Sequence, residues 1–481
     1  MDIERREFER RELLTWGGIG GLGGLLVGLS ILGGMGPDED DGTAVADPQP
    51  SGSGPRHADA FGTVVDAVEN GADPDGEEPI TDFLTAHAGD DTLLSFPAGE
   101  YRLEPTDLSG YRNLGIAAAG SERPAFVASG DRCLGSGESY LLFDGVEDLL
   151  IDRIHLDLTD DSVGGIVRVN AAGDATVSNV TAAGGCDGQI ALFRFDVLDA
   201  DATALVRNLD IGARDDDEYL TGVYVGKSHA GELRFRDCTV QAFTDNGLYA
   251  SAPGLADGAG GVVHVEGGTY RNNNIANVRL GSVGSTAVNV ESISDAPPPT
   301  TDAGPSANAR GFRLRSGHGQ RIEDCLVRIT ADSRFTHGGV VFHETNGGAT
   351  VTGTEITVDR DDTPAIRVFP DNSDHPGTAT FEGVTMTGES AAGRTVLVEG
   401  RDGTVFRDCE ITATGDDRDG IHFWGCEGGR VVDSRIDVTG APLVLRDATV
   451  RVENTTLVTP DGTEHVEQRR VTDGEFAGGD R

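Results

Sequence analysis

The chain has 481 residues and a formal net charge of -43, and Lys227 is the only lysine among its 38 basic side chains. Such an acidic surface suits very high salt and repels phosphate backbones, which excludes nucleic acid as a partner bound through overall charge. The spacings of a phosphate-binding loop, a nucleophile elbow and paired metal-binding histidines are absent from the sequence.

Residues 1–36 predict an export signal or a membrane anchor. The pair Arg10-Arg11 precedes an uncharged stretch from Leu13 to Gly36, which resembles a twin-arginine export signal. The stretch is long enough to span a bilayer, but ten of its residues are glycine, so cleavage and anchoring both stay open. Either outcome predicts that the rest of the chain lies outside the cell or at its surface, with membrane contact only through this segment.

Two polar segments flank the central part of the chain. Residues 37–58 are acidic and rich in Pro, Gly and Ser, a composition typical of a disordered linker. Residues 461–481 are predicted to form a polar tail. The domain between them, residues 59–460, begins with a cap and the first coils over residues 59–130.

A short motif recurs from Ile151 almost to the C-terminus and indicates a solenoid. It consists of an apolar residue, a variable residue, a turn-former, a small or apolar residue, a variable residue and another apolar one. Its small residue recurs at Val180, Leu209 and Cys238, in steps of 29 residues. The turn-formers are residues that tolerate a left-handed backbone, namely Asn179, Asn208, Asp237, Gly267, Asp324, Gly353, Gly383, Asp408, Asp433 and Asn454.

Each repeat continues through a variable loop into a second strand of alternating pattern, such as Gly311 to Arg315, and no helical period intervenes. Short strands, frequent corners and a period near 25 to 30 residues predict an all-β right-handed parallel β-helix. A β-propeller has a longer period, and a sandwich would not keep one turn residue in register over so many copies.

Alternate residues of the second strand point outward. With the hydrophobic members inward, the outer row is Arg168, Arg194, Tyr224, Tyr249, Arg279, Arg313, Val341, Arg367, Leu397 and His422. A second row, two residues further on, is Asn170, Asp196, Arg315, His343, Phe369, Glu399, Trp424 and Arg446. This face presents arginines and aromatic rings on an otherwise acidic protein. Guanidinium groups match carboxylates, and aromatic rings stack on sugars.

The face therefore predicts binding of an acidic polysaccharide or cell-surface glycan. The residues assigned to substrate binding are Arg279, Arg367, Tyr224, Tyr249, His422 and Trp424. The alternative interpretation is that these arginines form ordinary ion pairs with neighbouring Asp and Glu side chains. If all of them are paired in this way, the protein is a structural spacer at the surface. A non-catalytic adhesion module, with the same binding face or none, is a further alternative.

The start of the domain resembles the opening of pectate-lyase-like β-helix proteins. The resemblance rests on three segments: Gly71-Ala72-Asp73-Pro74-Asp75-Gly76, a predicted short helix from Ile80 to Ala88, and Phe96-Pro97-Ala98-Gly99-Glu100-Tyr101. With the repeats, the resemblance covers about residues 60–460 and implies the pectin-lyase fold with an N-terminal cap. The acidic, lysine-poor composition resembles that of exported proteins from halophilic archaea.

The resemblance implies two classes of activity, cleavage of a polysaccharide and non-catalytic adhesion, and leaves open whether the chain is an enzyme. Similarity to the lyases implies an arginine or lysine base and carboxylates, often with calcium to neutralise the uronate. The candidate catalytic residues are Arg313, Arg315, His343, Glu344 and Asp371. Similarity to the hydrolases rests on Gly317-His318-Gly319, whose companion motifs are missing, so a structural turn is the alternative.

The six cysteines have no metal-binding spacing. Cys238, Cys325 and Cys409 occupy the small buried position of the repeat, which predicts core thiols. Disulfides between Cys133 and Cys186, or between Cys409 and Cys426, stay open because an exported chain permits them.

Overall fold

The computed structural model describes residues 56–130, 138–160, 164–185, 191–213, 220–300, 308–331 and 336–476. The predicted export segment, most of the predicted linker, Cys133 and Cys186 lie outside these residues. The chain is almost entirely β-structure, and its strands coil into a parallel β-solenoid of about 12 turns. The fold class predicted from the repeats is confirmed.

Every coil except the first contributes one strand to each of three parallel sheets; in the first coil a short helix takes the place of the third strand. Sheet 1 holds the strand before the corner of each repeat. Its strands are β1 Thr63–Asp66, β3 Thr92–Phe96, β6 Leu114–Ala118, β9 Leu149–Asp152, β12 Ala175–Ser178, β15 Thr203–Arg207, β18 Glu232–Arg236, β21 Val262–Glu266, β24 Thr286–Val288, β27 Gln320–Glu323, β30 Ala349–Thr352, β33 Ala379–Glu382, β36 Val405–Arg407 and β39 Gly429–Val432.

Sheet 2 holds the strand after the corner. Its strands are β2 Asp75–Pro79, β4 Glu100–Leu103, β7 Ala125–Ala128, β10 His155–Leu158, β13 Thr181–Gly184, β16 Asp210–Gly212, β19 Thr239–Gln241, β22 Thr269–Arg271, β25 Glu291–Ser294, β28 Leu326–Ile329, β31 Glu355–Val358, β34 Thr385–Gly388, β37 Glu410–Ala413 and β40 Arg435–Val438.

Sheet 3 holds the second, alternating strand of each repeat and carries the predicted binding face. Its strands are β5 Thr106–Asp107, β8 Ser139–Val146, β11 Ile166–Ala171, β14 Ala191–Val197, β17 Thr221–Tyr224, β20 Leu248–Ala250, β23 Ala276–Leu280, β26 Arg310–Leu314, β29 Val340–Phe342, β32 Ile366–Val368, β35 Arg394–Glu399 and β38 Asp419–Trp424.

The corner between sheets 1 and 2 follows the predicted pattern. All ten turn-formers of the repeat have φ between 46° and 64°, a conformation that Asn, Asp and Gly adopt at low cost. Some corner side chains form hydrogen bonds to a neighbouring coil. Asn208 Nδ2, for example, donates to Asn179 Oδ1 of the preceding coil at 3.0 Å. Local backbone preference thus places a corner at the same point of each of these coils.

The interior is a continuous column of apolar side chains from all three sheets. Phe312 and Leu314 on β26, for example, are fully buried, as are Phe342 and Val340 on β29. Burial of each inward face depends on the neighbouring coils, which is the general basis of solenoid stability.

Cys238, Cys325 and Cys409 are buried in the core and free, which confirms their prediction as core thiols. Burial raises the pKa of the Cys238 and Cys325 thiols to about 12, so both are protonated and unreactive at neutral pH. Cys409 and Cys426 do not form a disulfide. Each thiol instead donates to a backbone carbonyl, that of Arg407 for Cys409 and that of Trp424 for Cys426.

The N-terminal end contains the predicted short helix. Helix α1 (Thr81–His87) follows a 3-10 helix at Ala58–Ala60 and packs Phe83 against Phe96, with ring centroids 5.7 Å apart. Among the described residues, no helix has the length and apolarity needed to cross a membrane.

The C-terminal end closes differently from the other coils. Strand β41 (Leu443–Val458) pairs in parallel with β38, β39 and β40 and so extends all three sheets. Strand β42 (Glu464–Phe476) then runs back along β41 in antiparallel pairing. Most of the segment predicted as a polar tail is therefore a strand, because its backbone pairs with the exposed edge of the last coil.

Candidate functional site

The outward residues of sheet 3 lie in register. Cα pairing links Arg168 to Arg194, Tyr224 and onward through each coil to His422, so the predicted outer row is confirmed as a continuous line. The corners fix the start of each coil, and the alternation of the strand fixes which side chains face outward.

Outward orientation does not make the whole row accessible. Arg279 and Arg313 are 2% and 0% exposed, and Arg315, His343 and Tyr249 are buried as well. Arg367 and Trp424, closer to the C-terminal end, are only partly buried. Alternation in the sequence shows from which side of the sheet a side chain projects. It does not show whether neighbouring segments of the chain bury that side chain. The accessible part of the face is therefore smaller than the predicted row.

In the middle of the row, Arg279 packs on a tyrosine of the preceding coil. Its Cζ lies 3.8 Å from the Tyr249 ring centroid, while Nη2 donates to the Tyr249 hydroxyl and Nε to Ser251 Oγ. The Tyr249 ring meets that of Tyr224 edge-on at 5.2 Å. These two tyrosines and Arg279, all predicted to bind substrate, thus form one stack across three coils.

The predicted catalytic residues come from three consecutive coils, those of β26, β29 and β32. Arg313 lies on β26 and projects outward, Arg315 directly follows β26, and His343 directly follows the neighbouring β29. These three side chains therefore lie on adjacent coils. Glu344 is exposed, and its Oε2 accepts a hydrogen bond from Asn372 Nδ2 at 3.2 Å.

The carboxylate of Asp371, which follows β32, is saturated by local donors. Oδ1 accepts from the backbone N–H and hydroxyl of Ser373, and Oδ2 accepts from Gly377 N–H and Arg401 Nη1. Desolvation alone would raise its pKa, but the bonds from Ser373 and Gly377 and the charge of Arg401 hold the pKa below its usual value. The geometry gives Asp371 a structural role in the turn after β32.

Arg367 forms the first accessible cluster, which we term the Phe369 cluster (His337, Arg367, Phe369 and Glu399). Arg367 Cζ lies 4.3 Å from the Phe369 ring centroid, and its Nη2 donates to Glu399 Oε2 at 3.1 Å. The ring of His337 contacts the same Phe369 ring at 5.5 Å. The cluster combines an ion pair with an aromatic surface that is partly exposed.

The second accessible cluster surrounds Trp424 (the Trp424 cluster: Arg394, Asp419, His422, Trp424 and Arg446), and His422 is its one buried member. The Cζ atoms of Arg394 and Arg446 lie 5.4 and 5.0 Å from the Trp424 ring centroid, within range of a cation–π contact. The His422 ring lies 5.8 Å from that of Trp424. Two guanidinium groups and one indole thus meet on the outer face of sheet 3.

His422 is oriented by an aspartate of its own strand. Its Nε2 lies 2.8 Å from Asp419 Oδ2, and Asp419 Oδ1 accepts from Ala441 N–H. Desolvation opposes ionisation of Asp419, but the bonds from His422 and Ala441 lower its pKa. His422 Nδ1 and Trp424 Nε1 are buried and have no hydrogen-bond partner within the part of the chain that the structure describes.

Arginines on sheet 1 show ordinary ion pairing by comparison. Arg234 and Arg236 both bond to Glu266, at 2.6 and 2.8 Å. On sheet 3, Arg194 and Arg367 likewise pair with Asp196 and Glu399. The ion-pair interpretation therefore describes part of the face, whereas the contacts of Arg394 and Arg446 with Trp424 add an aromatic component.

Sequence reasoning did not identify Asp419, Arg394 or His337. Asp419 carries a usable signal, because it starts the strand that contains His422 and Trp424. Arg394 is the first residue of β35, and His337 lies in a loop. At such positions the alternating pattern of a strand does not predict the direction of a side chain. Among the described residues, no group of three or more His, Cys, Asp or Glu side chains is arranged to hold a metal ion, and calcium use stays a prediction.

Comparison with known proteins gives likenesses among solved structures only. No protein-family model and no curated protein matches the chain. The mannuronan C-5 epimerase AlgE6 A-module of Azotobacter vinelandii is 16% identical, covers 72% of this chain and 98% of its own, and has a TM-score of 0.45. PfbA, a surface adhesin of Streptococcus pneumoniae, is 12% identical, with 85% and 99% coverage and a TM-score of 0.43.

The catalytic unit of a GH87 alpha-1,3-glucanase from Streptomyces thermodiastaticus is 14% identical, covers 84% of this chain and 69% of its own, and has a TM-score of 0.38. Likenesses at these levels identify no activity for this chain.

Proposed function

We propose that the outer face of sheet 3 binds an acidic polysaccharide. The observation that carries the proposal is the register of arginines and aromatic rings along consecutive coils, with both accessible clusters built from an aromatic ring under a guanidinium group. We also propose that the protein acts outside the cell, because Arg10-Arg11 and the uncharged stretch after them resemble an export signal.

The two clusters have the spacing of a polymer site. Phe369 follows β32 and Trp424 ends β38, which are separated by the single sheet 3 strand β35. Because neighbouring strands are about 4.8 Å apart, the two rings are offset by about 10 Å along the solenoid axis. That offset suits two sugar rings of one chain, each stacked on one aromatic side chain.

Charge favours an acidic chain at this place. The whole protein has a net charge of -43 and repels a polyanion at long range, so attraction has to be local. Arg394 and Arg446 supply two positive charges beside Trp424, although Arg394 Nη2 also lies 3.8 Å from Asp362 Oδ1. A guanidinium group binds a carboxylate through two parallel hydrogen bonds. Salt screens the long-range repulsion more than such close contacts.

Trp424→Ala tests the proposal. We expect the variant to bind polygalacturonate or alginate about tenfold more weakly in affinity electrophoresis, since an aromatic platform contributes on the order of 1 kcal/mol. Arg446→Gln should also weaken binding. Arg236→Gln is the matched control, because it removes the same charge from an ion pair on sheet 1. Equal affinities for the wild type and both sheet 3 variants would remove the support for this face.

Cleavage of the bound chain is the second candidate function. It rests on the placement of Arg313, Arg315 and His343 on adjacent coils of the same face, and it requires that a substrate reach these buried side chains. The test follows ultraviolet absorbance from unsaturated uronates and release of reducing ends, in multimolar salt with and without calcium. Ultraviolet product lost in Arg313→Gln supports a lyase, and reducing ends alone support a hydrolase. Binding without either product supports the non-catalytic alternative.

A further inference from the structure

Three arginines form a line across the C-terminal end of sheet 1, away from the sheet 3 face. Arg430 on β39 lies opposite Arg451 on β41, and Arg451 lies opposite Arg470 on β42. Residues directly opposite on neighbouring strands project from the same side of the sheet. The three guanidinium groups are therefore neighbours on one surface.

The line concentrates positive charge on a strongly acidic protein. Glu453 bonds to Arg451, and its Oε2 lies 3.4 Å from Arg430 Nη2, so one carboxylate serves two of the guanidinium groups. Like charges placed directly opposite destabilise a sheet. One coil earlier, the uncharged Val405 occupies the position opposite Arg430, and the neighbouring Arg407 lies opposite Glu382. The arginine line thus carries a cost that ordinary pairing on this sheet avoids.

The same residues border an open cleft of about 600 Å³ where the last coil meets β42. The cleft is lined by the three arginines, Glu453, Thr449, Val450 and the backbone of Gly428 and Gly429, so three guanidinium groups face one carboxylate there. The side chains of Arg430 and Arg451 are 44% and 68% exposed. Their donors are accessible to a ligand, and the cleft has room for one.

We infer that this cleft is a binding site for a phosphate or sulfate ester. Arginines on neighbouring strands, which lie about 4.8 Å apart, can each donate to a different oxygen of one tetrahedral oxyanion. A doubly charged ligand would also relieve the repulsion between the opposed arginines. The inference is independent of the sheet 3 face and does not require that face to bind a glycan.

The test titrates inorganic phosphate into the full chain at constant ionic strength and follows the ³¹P line width. We expect broadening with the wild type and an apparent affinity about tenfold weaker in Arg451→Gln, because a charge-assisted hydrogen bond contributes on the order of one power of ten. Arg407→Gln is the matched control and should behave as the wild type. Equal broadening by Arg451→Gln and the wild type would overturn the site.

Further measurements identify the class of ligand and establish whether each variant is folded. Circular dichroism establishes that each variant is folded, and Arg470→Gln replaces Arg451→Gln if the latter does not fold. A soluble sugar phosphate and a sugar sulfate should compete with inorganic phosphate. Binding only to vesicles of anionic phospholipid, without competition by either sugar ester, would contradict a cleft for a single oxyanion.

Discussion

Single residues with a left-handed backbone determine where the coils turn. Asp237, Asp324 and Asp408 have φ of 52°, 52° and 50° at equivalent corners. An L-residue with a β-carbon pays about 1–2 kcal/mol for this conformation, and Asp, Asn and Gly pay least. These corners could be predicted from sequence because the conformational preference is local and recurs with the repeat.

Asp408→Ala should lower the free energy of unfolding by about 1 kcal/mol, whereas Asp408→Gly should leave it nearly unchanged. Asp408 is exposed, so neither change affects the core. Urea denaturation followed by circular dichroism measures both. Asp374→Ala, an exposed aspartate outside the positive-φ positions, is the control for loss of charge. Equal stability of the alanine and glycine variants would contradict the backbone explanation.

Asp152 provides a buried charge that ties the start of the domain to a later coil. It is 1% exposed, and it accepts from Ser178 Oγ and Asn179 Nδ2 and lies 2.9 Å from His57 Nε2. Desolvation alone would raise its pKa, but the hydrogen bonds from His57, Ser178 and Asn179 hold the pKa well below its ordinary value.

Because the folded pKa of Asp152 lies below the unfolded one, its stabilisation is present above about pH 4 and is lost as pH falls through the folded pKa. Asp152→Asn should therefore reduce the free energy of unfolding by about 2 kcal/mol at pH 7. The difference from the wild type should narrow as the pH falls below about 4. Urea titrations of both proteins across this range measure it, and a difference independent of pH would contradict the ionic role.

Individual strands could be predicted better than the connections between them. Alternation placed Arg279, Arg313 and His422 on one outward line, because a strand allows only two directions for a side chain. It could not predict that Arg313 is fully buried. Exposure depends on the path of the segments between sheets, whose lengths vary and which carry no repeat.

The buried arginines that form hydrogen bonds to these connecting segments were also not predicted from the sequence. Arg401 is 1% exposed, and its guanidinium donates to the carbonyl oxygens of Asn346 and Phe369 and to Asp371. It thereby joins turns of neighbouring coils between sheets 3 and 1. A burial of this kind depends on contacts between coils and leaves no local pattern in the sequence.

Arg401→Met should lower the free energy of unfolding by about 3 kcal/mol, because the variant leaves buried carbonyl groups and Asp371 without their donor. Chemical denaturation measures the change. Arg407→Gln, a partly exposed arginine near Glu382, should change stability by less than about 1 kcal/mol. Similar losses in both variants would show that charge rather than the buried bonds is responsible.

At the scale of the whole molecule, 81 acidic side chains face 38 basic ones, and self-repulsion opposes the compact state. Raising sodium chloride from about 0.01 M to 1 M shortens the screening length from about 30 Å to 3 Å. We expect the melting temperature to rise across this range at pH 7, as measured by calorimetry. The rise should be smaller near pH 4, where carboxylates begin to protonate, and an equal rise at both pH values would contradict the electrostatic cause.

The reversed strand β42 also bears on polymerisation. Every earlier strand edge of the solenoid runs in one direction and accepts a parallel neighbour, so an uncovered last coil would be a template for the first coil of a second molecule. Because β42 runs antiparallel to β41, the final edge has the opposite polarity, and a second molecule cannot continue the three-sheet pattern there. We therefore expect chain reversal at this one position to disfavour end-to-end addition of a second molecule.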